Sequence, residues 1–211
     1  TLRLDMAILT GFILGLASLT KSPALFFAAL IPVAIILFKK SKDILKYAGL
    51  LAVIYLIAFG MYNIQRLGPN FALLASRTAD YTYPLSRIFI YPTDPIRYNI
   101  PTTFNWLSAM GPLGLLILAS IGIIKNFKKY KKTILILGTW FLAPLIFEAE
   151  FTKSFTLRYI LFLVPPLYVL AASSFIDLKG KWKYFTILAL IIFVIQTGIF
   201  DYYLLTNPVK A

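Results

Sequence analysis

The sequence predicts an all-α protein: a polytopic transmembrane helical bundle of six or seven spans, with an interfacial outer loop containing short helices. Three observations carry that expectation. Of 211 residues, 60% are hydrophobic and only 14% are charged, against roughly 25% charged in soluble domains. The mean hydropathy is +0.82. Apolar runs recur from end to end, separated by short charged or proline-rich stretches, which is the pattern of helices that satisfy their backbone in lipid.

The first run, Met6 to Leu19, contains Gly11 and Gly15 and at 1.5 Å per residue reaches roughly 21 Å, less than a hydrocarbon core of ~30 Å. Thr20-Lys21-Ser22-Pro23 breaks the pattern, and Pro23 suits the first turn of a second helix, Ala24 to Phe38. A third run, Ile44 to Tyr62, has full spanning length and stops at Gly68-Pro69. Residues 69–106 then hold five prolines and eight aromatics, with Arg77, Arg87 and Arg97 spaced among them. So many aromatics argue for order at a membrane surface, with short helices expected around Phe71–Ala79 and Pro84–Tyr91. Further spans are expected at Leu107–Ile124, Thr133–Phe147, Tyr159–Ile176 and Tyr184–Phe200. Pro165-Pro166 is expected to kink the sixth, since two adjacent donors are missing. The chain reads as one transmembrane domain, 1–211, with 69–106 as an extracytoplasmic loop within it.

The net charge of +13 raises the question of nucleic acid, whose phosphates attract basic surfaces. Its placement argues against that partner. Twelve of fifteen lysines fall in three clusters: Lys39, Lys40, Lys42 and Lys46; Lys125, Lys128, Lys129, Lys131 and Lys132; Lys179, Lys181 and Lys183. These follow the second, fourth and sixth runs, so alternate helix ends share a side, as the positive-inside rule requires. Loops 39–46, 125–132 and 177–183 are accordingly expected in the cytoplasm of a multi-pass cell-membrane protein. The 69–106 loop, the Glu148–Arg158 connection and Lys21 then share the opposite side.

Neither cysteine nor histidine occurs. Thiol chemistry, imidazole metal sites and Ser-His-Asp triads are excluded for these residues, and no metal or cofactor is expected. The outer side carries Arg66, Arg77, Arg87, Arg97 and Arg158, whose planar forks suit phosphate or carboxylate but also snorkel to lipid headgroups. Arg66 and Lys21 sit at helix ends, where a charge needs water, a partner or a ligand. Glu148 and Glu150 are spaced i, i+2 and would point apart on a helix; salt bridges to Lys153 or Arg158 are the expectation for them, with sugar or acceptor hydroxyls the functional alternative.

Three stretches, in order, are similar to a known family. Gly11-Phe12-Ile13-Leu14-Gly15-Leu16-Ala17-Ser18-Leu19-Thr20-Lys21-Ser22-Pro23-Ala24 resembles the "GLLLGLALLTKxPAL" segment of the membrane-embedded GT-C glycosyltransferases. The branch it looks like contains the dolichyl-phosphate-mannose protein mannosyltransferases and the aminoarabinose transferases. Tyr62-Asn63-Ile64-Gln65-Arg66-Leu67-Gly68-Pro69 and Phe155-Thr156-Leu157-Arg158-Tyr159-Ile160-Leu161-Phe162-Leu163-Val164-Pro165-Pro166-Leu167 are similar to its "RNxxxFGxP" and "xxRYxLPxxPPLxLLxA" segments. The resemblance implies an enzyme that moves a sugar from a polyprenyl-phosphate donor to a protein or lipid acceptor on the extracytoplasmic face.

By that resemblance Arg66, Arg158 and Lys21 would hold the donor phosphate and stabilise charge on the leaving group. Tyr159, next to Arg158 in the motif, joins Glu148 and Glu150 as contacts for acceptor or sugar. The family's catalytic carboxylates lie in a first outer loop that precedes everything in this sequence. The chain therefore reads as a downstream fragment, inactive on its own, and neither Asp80 nor Asp94 is promoted to catalytic base. The rival reading is a transporter or flippase for a lipid-linked or anionic substrate, which would favour inverted repeats and ionisable groups near span centres.

Overall fold

The computed structural model describes residues 3–20, 24–39, 41–110 and 113–207. Among them there is no β-strand, and nine α-helices follow one another: α1 (Leu4–Thr20), α2 (Ala24–Phe38), α3 (Ile44–Asn63), α4 (Phe71–Tyr81), α5 (Arg87–Ile90), α6 (Ile96–Met110), α7 (Leu113–Phe151), α8 (Val164–Ser173) and α9 (Lys181–Thr206). Among the described residues three helices are long and apolar enough to cross a membrane: Ile44–Leu67, which is α3 with the 3₁₀ turn that follows it, then α7 and α9. Three apolar helical stretches are shorter, Leu4–Thr20, Ala24–Phe38 and Leu157–Ser173. Large apolar side chains such as Leu56, Phe59, Ile195 and Ile199 are exposed, an exterior that water disfavours and lipid accepts.

The chain divides into two compact units, Thr1–Pro84 and Leu85–Ala211, with the boundary inside the expected outer loop. In the first unit α1 packs on α3 around Ala7, Leu14, Ile54 and Ala58. Gly11 and Gly15, four residues apart, lie on the contact face. A Cβ at Gly11 would stand 2.8 Å from the Ile54 carbonyl oxygen, and one at Gly15 2.8 Å from Met61 Cβ. Small residues at this spacing let two helix backbones approach, the main source of association where the hydrophobic effect is absent. Tyr55 ties α3 to α2 by donating its hydroxyl to the Ala28 carbonyl at 2.8 Å.

The second unit is built on α7. Leu107 of α6, Leu115 and Leu118 of α7, and Leu167 and Leu170 of α8 form its core with Ile160 and Leu163 from the turns before α8. At the start of α7, whose first N–H groups have no helical partner, Gly114 N–H donates to Gln196 Oε1 of α9 at 3.1 Å. Farther along, Gly122 lies against the Leu170 carbonyl and the Ser173 hydroxyl of α8. The buried Asn126 amide donates to the carbonyls of Ser173 (2.8 Å) and Gly122 (3.1 Å).

Several boundaries differ from expectation. Leu107–Met110 belong to α6 rather than to a fourth span, and α6 carries Pro101 inside it. The stretch 69–106 is thus largely helical, with α4 and α5 close to where short helices were expected. The fourth and fifth runs join in the 39-residue α7, which as a straight rod would measure about 58 Å. It is not straight: Tyr130, with φ −121° and ψ 32°, is non-helical, so two helical stretches meet there within the lysine cluster. Pro165 and Pro166 do not kink a helix; they sit in the first turn of α8, after two 3₁₀ turns. There a missing N–H costs nothing, because no helical acceptor exists for it. The last helix is longer than expected, reaching from Lys181 to Thr206.

Candidate functional site

Four of the residues singled out in the sequence lie at the junction of α7 and α8. Asn99 of α6 donates its side-chain amide to the Ala149 carbonyl at 2.8 Å, filling one of the acceptors that the end of α7 leaves open. Trp106 of α6 stacks on Phe155, with ring centroids 5.4 Å apart and planes 16° apart. These two contacts fix the connection that carries Glu148, Glu150, Arg158 and Tyr159.

As expected from the i, i+2 spacing, the carboxylates have different surroundings. Glu148 accepts from the Thr152 hydroxyl at 2.6 Å. Glu150 is only 3% exposed, and neither of its carboxylate oxygens has a hydrogen-bond partner. The salt bridge expected for Glu150 is therefore not made: burial at the foot of an apolar helix holds its carboxylate away from the exposed Arg158. Instead it lies within electrostatic reach of Arg87 and Asp94, and near the Ile96 backbone N–H without closing a hydrogen bond to it. Arg87 and Asp94 are themselves paired, Nη2 to Oδ2 at 3.1 Å, and the guanidinium lies 5.1 Å from the Tyr91 ring centroid.

Buried carboxylates without partners are rare, because an apolar medium penalises the charged group severely. Glu150 is the unusual group of the second unit. Its two oxygens keep unused acceptor capacity, with the Arg87–Asp94 pair supplying one cationic and one anionic neighbour.

The basic candidates have a different character. Arg158 is exposed and sits on its neighbour, donating to Tyr159 Oη at 3.4 Å with the ring centroid 5.2 Å from the guanidinium carbon. Arg66, in the first unit, occupies the 3₁₀ turn Ile64–Leu67 after α3 and lies 5.5 Å from the centroid of Phe71. Arg97 lies 4.6 Å from the Tyr98 centroid. Each of these guanidiniums rests on an aromatic face, which holds the stem and leaves N–H edges available. Lys21 lies outside the described residues, as does the side chain of Arg77. No group of three or more acidic side chains able to hold a metal ion occurs among the described residues.

Sequence reasoning named Glu150 and Arg87 separately but missed that they come within electrostatic reach of each other, and set Asp94 aside. The legible signal was the apolar pattern running up to and past Glu150 as far as Phe151, which predicts burial of whatever polar residue it includes. Comparison with known protein families, with curated proteins and with solved structures finds no match.

Proposed function

We propose that the chain belongs to a membrane glycosyltransferase of the GT-C type, transferring a sugar from a polyprenyl-phosphate donor to a protein or lipid acceptor. In this reading the helices make six or seven crossings, the lysine clusters lie in the cytoplasm and chemistry occurs on the extracytoplasmic face. Arg66 and Arg158, with Lys21, hold the donor phosphate and stabilise the charge that gathers on it as the glycosidic bond breaks. Glu150, Glu148 and Tyr159 contact hydroxyls of the sugar or acceptor.

The observation that carries the proposal is the Glu150 carboxylate, buried and unpartnered beside Arg87 and Asp94, on the connection that also bears the Arg158-Tyr159 motif. An ionisable group buried in an apolar helix is by default a functional group. A sugar hydroxyl would supply the hydrogen bond it lacks, and the order of the three family-like segments supplies the donor class. The same buried acid also favours a second reading, an ion-coupled transporter of an anionic substrate, in which Glu150 would carry a proton.

Full-length protein reconstituted in vesicles separates the two. Release of sugar from a polyprenyl-phosphate donor, reduced 100-fold or more by Arg158→Ala (about 10²–10³ for one stabilising donor) and similarly by Arg66→Ala, supports the transferase. No release from mannosyl, glucosyl or aminoarabinosyl donors, or unaltered rates in both arginine variants, sinks it. Uptake of a labelled anionic substrate that Glu150→Gln abolishes would establish the transporter in its place.

A further inference from the structure

At the break in α7 the second unit encloses a cleft of about 320 Å³ between α7 and α8. Ile134 and Leu137 line one wall, and Val169, Leu170 and Ile176 line the other. Of the polar side chains that border it, Asn126 and Ser173 are already engaged, which leaves the Thr133 hydroxyl and the Tyr130 ring near the mouth. Asn126 spends its amide on Gly122 and Ser173 carbonyls, and the Ser173 hydroxyl donates to the Leu170 carbonyl at 2.6 Å. What the lining still offers is mainly van der Waals contact, so its natural occupant is hydrocarbon.

The rim has the opposite character. Tyr130, a lining residue, has the Lys129 ammonium 5.2 Å from its ring centroid. Lys129 also pairs with Asp177 at 3.4 Å, with both side chains more than 60% exposed. Lys125 donates to the Ser174 carbonyl at 3.1 Å, next to the lining residue Ser173, and an ammonium has three donors, so two remain for another acceptor. Lys128, Lys131 and Lys132 are exposed on the same short segment. Of the five lysines on this segment, Lys125 and Lys129 are thus placed at the mouth of the apolar cleft, with Asp177 as the acidic residue paired there.

We propose that this cleft is a binding site for an anionic glycerophospholipid, with one acyl chain between α7 and α8 and the phosphate held at the rim by Lys125 and Lys129. A polar ligand would find little more than the Thr133 hydroxyl inside, and a neutral lipid would leave all but one of the lysines without counter-charge. An anionic lipid matches both halves. The site is separate from Glu150 and its neighbours, and it does not depend on whether the protein transfers sugars.

The test is lipid retention by the full chain, extracted from nanodiscs of equal phosphatidylglycerol and phosphatidylcholine into mild detergent and weighed by native mass spectrometry. Phosphatidylglycerol should remain bound in preference to phosphatidylcholine by about fivefold for each engaged lysine. The double variant Lys125→Gln/Lys129→Gln should lower that preference towards unity. Ala172→Trp, which fills the cleft, should abolish retention of either lipid while the lysines stay in place. Thr133→Phe, from the opposite wall, repeats that test should the first variant not fold. Equal retention of the two lipids by the native chain overturns the proposal, and so does an unchanged preference in the lysine variant. Retention surviving a folded cleft-filling variant, or displacement of phosphatidylglycerol by equimolar polyprenyl phosphate, also overturns it, the latter by assigning the cleft to a donor lipid.

Discussion

Replacing Gly122 with alanine tests whether α8 owes its position to the absence of one side chain. A Cβ at residue 122 would overlap the Leu170 carbonyl oxygen and the Ser173 hydroxyl. Neither can turn away cheaply, because the carbonyl is backbone and the hydroxyl is bonded to that same carbonyl. The helices must separate, which also stretches the 2.8 Å bond from Asn126 to Ser173. Overpacking of this kind costs about 1–3 kcal/mol, and weakening one interhelical hydrogen bond adds about 0.6 kcal/mol. Alanine's better helix propensity returns about 0.9 kcal/mol. The net loss is then roughly 1–3 kcal/mol.

Gly138 provides the comparison, since a Cβ there would meet nothing within 4 Å. Gly138→Ala should be neutral or stabilising by up to about 1 kcal/mol. Equilibrium unfolding of micelle-bound protein by added dodecyl sulfate, followed by tryptophan fluorescence, would place the two variants roughly 1–4 kcal/mol apart. A Gly122→Ala protein as stable as Gly138→Ala would refute the close approach of α7 and α8.

Tyr55→Phe removes the tether from α3 to the Ala28 carbonyl and should cost about 1 kcal/mol in the same titration. Trp106→Leu deletes the stack on Phe155; a loss of about 0.5–1.5 kcal/mol beyond the change in buried area is expected, together with faster proteolysis of the 152–156 connection. Glu150→Gln removes a buried charge without a partner and should stabilise the fold, by roughly 1 kcal/mol or more, while impairing whatever activity the protein has. Stability and function are commonly opposed at such sites, and a destabilised Glu150→Gln would show that the carboxylate is held by contacts made within the chain.

Helix positions were readable where a single rule governed them. The ends of α2 and α3 follow the change from apolar to charged residues almost to the residue, and the close contact of α1 with α3 follows from the Gly11–Gly15 spacing. Prolines misled in both directions. Pro101 suggested loop but lies within α6, and Pro165-Pro166 suggested a kink but begins α8, because a proline's consequence depends on whether the turn before it is already helical. The candidate site was only half legible. Arg158 and Tyr159 are adjacent in sequence and remain adjacent in space, whereas Glu150 comes within electrostatic reach of Arg87 and Asp94 across more than fifty residues. No local pattern encodes such a meeting, which results from α6 docking on the end of α7 through Asn99.

The interruption at Tyr130 also bears on how divisible the chain is. On either side of it stands a helical stretch long enough for roughly one crossing at 1.5 Å per residue, and the residues between them are exposed and rich in lysine. A helix cut at its middle ordinarily loses the hydrogen bonds that span the cut. Here the helical geometry is already interrupted at Tyr130, so two polypeptides ending and restarting near Lys131 should forfeit little. Co-expressed halves should find each other in the membrane, and a reporter protein inserted at that position should leave the helices on both sides in register.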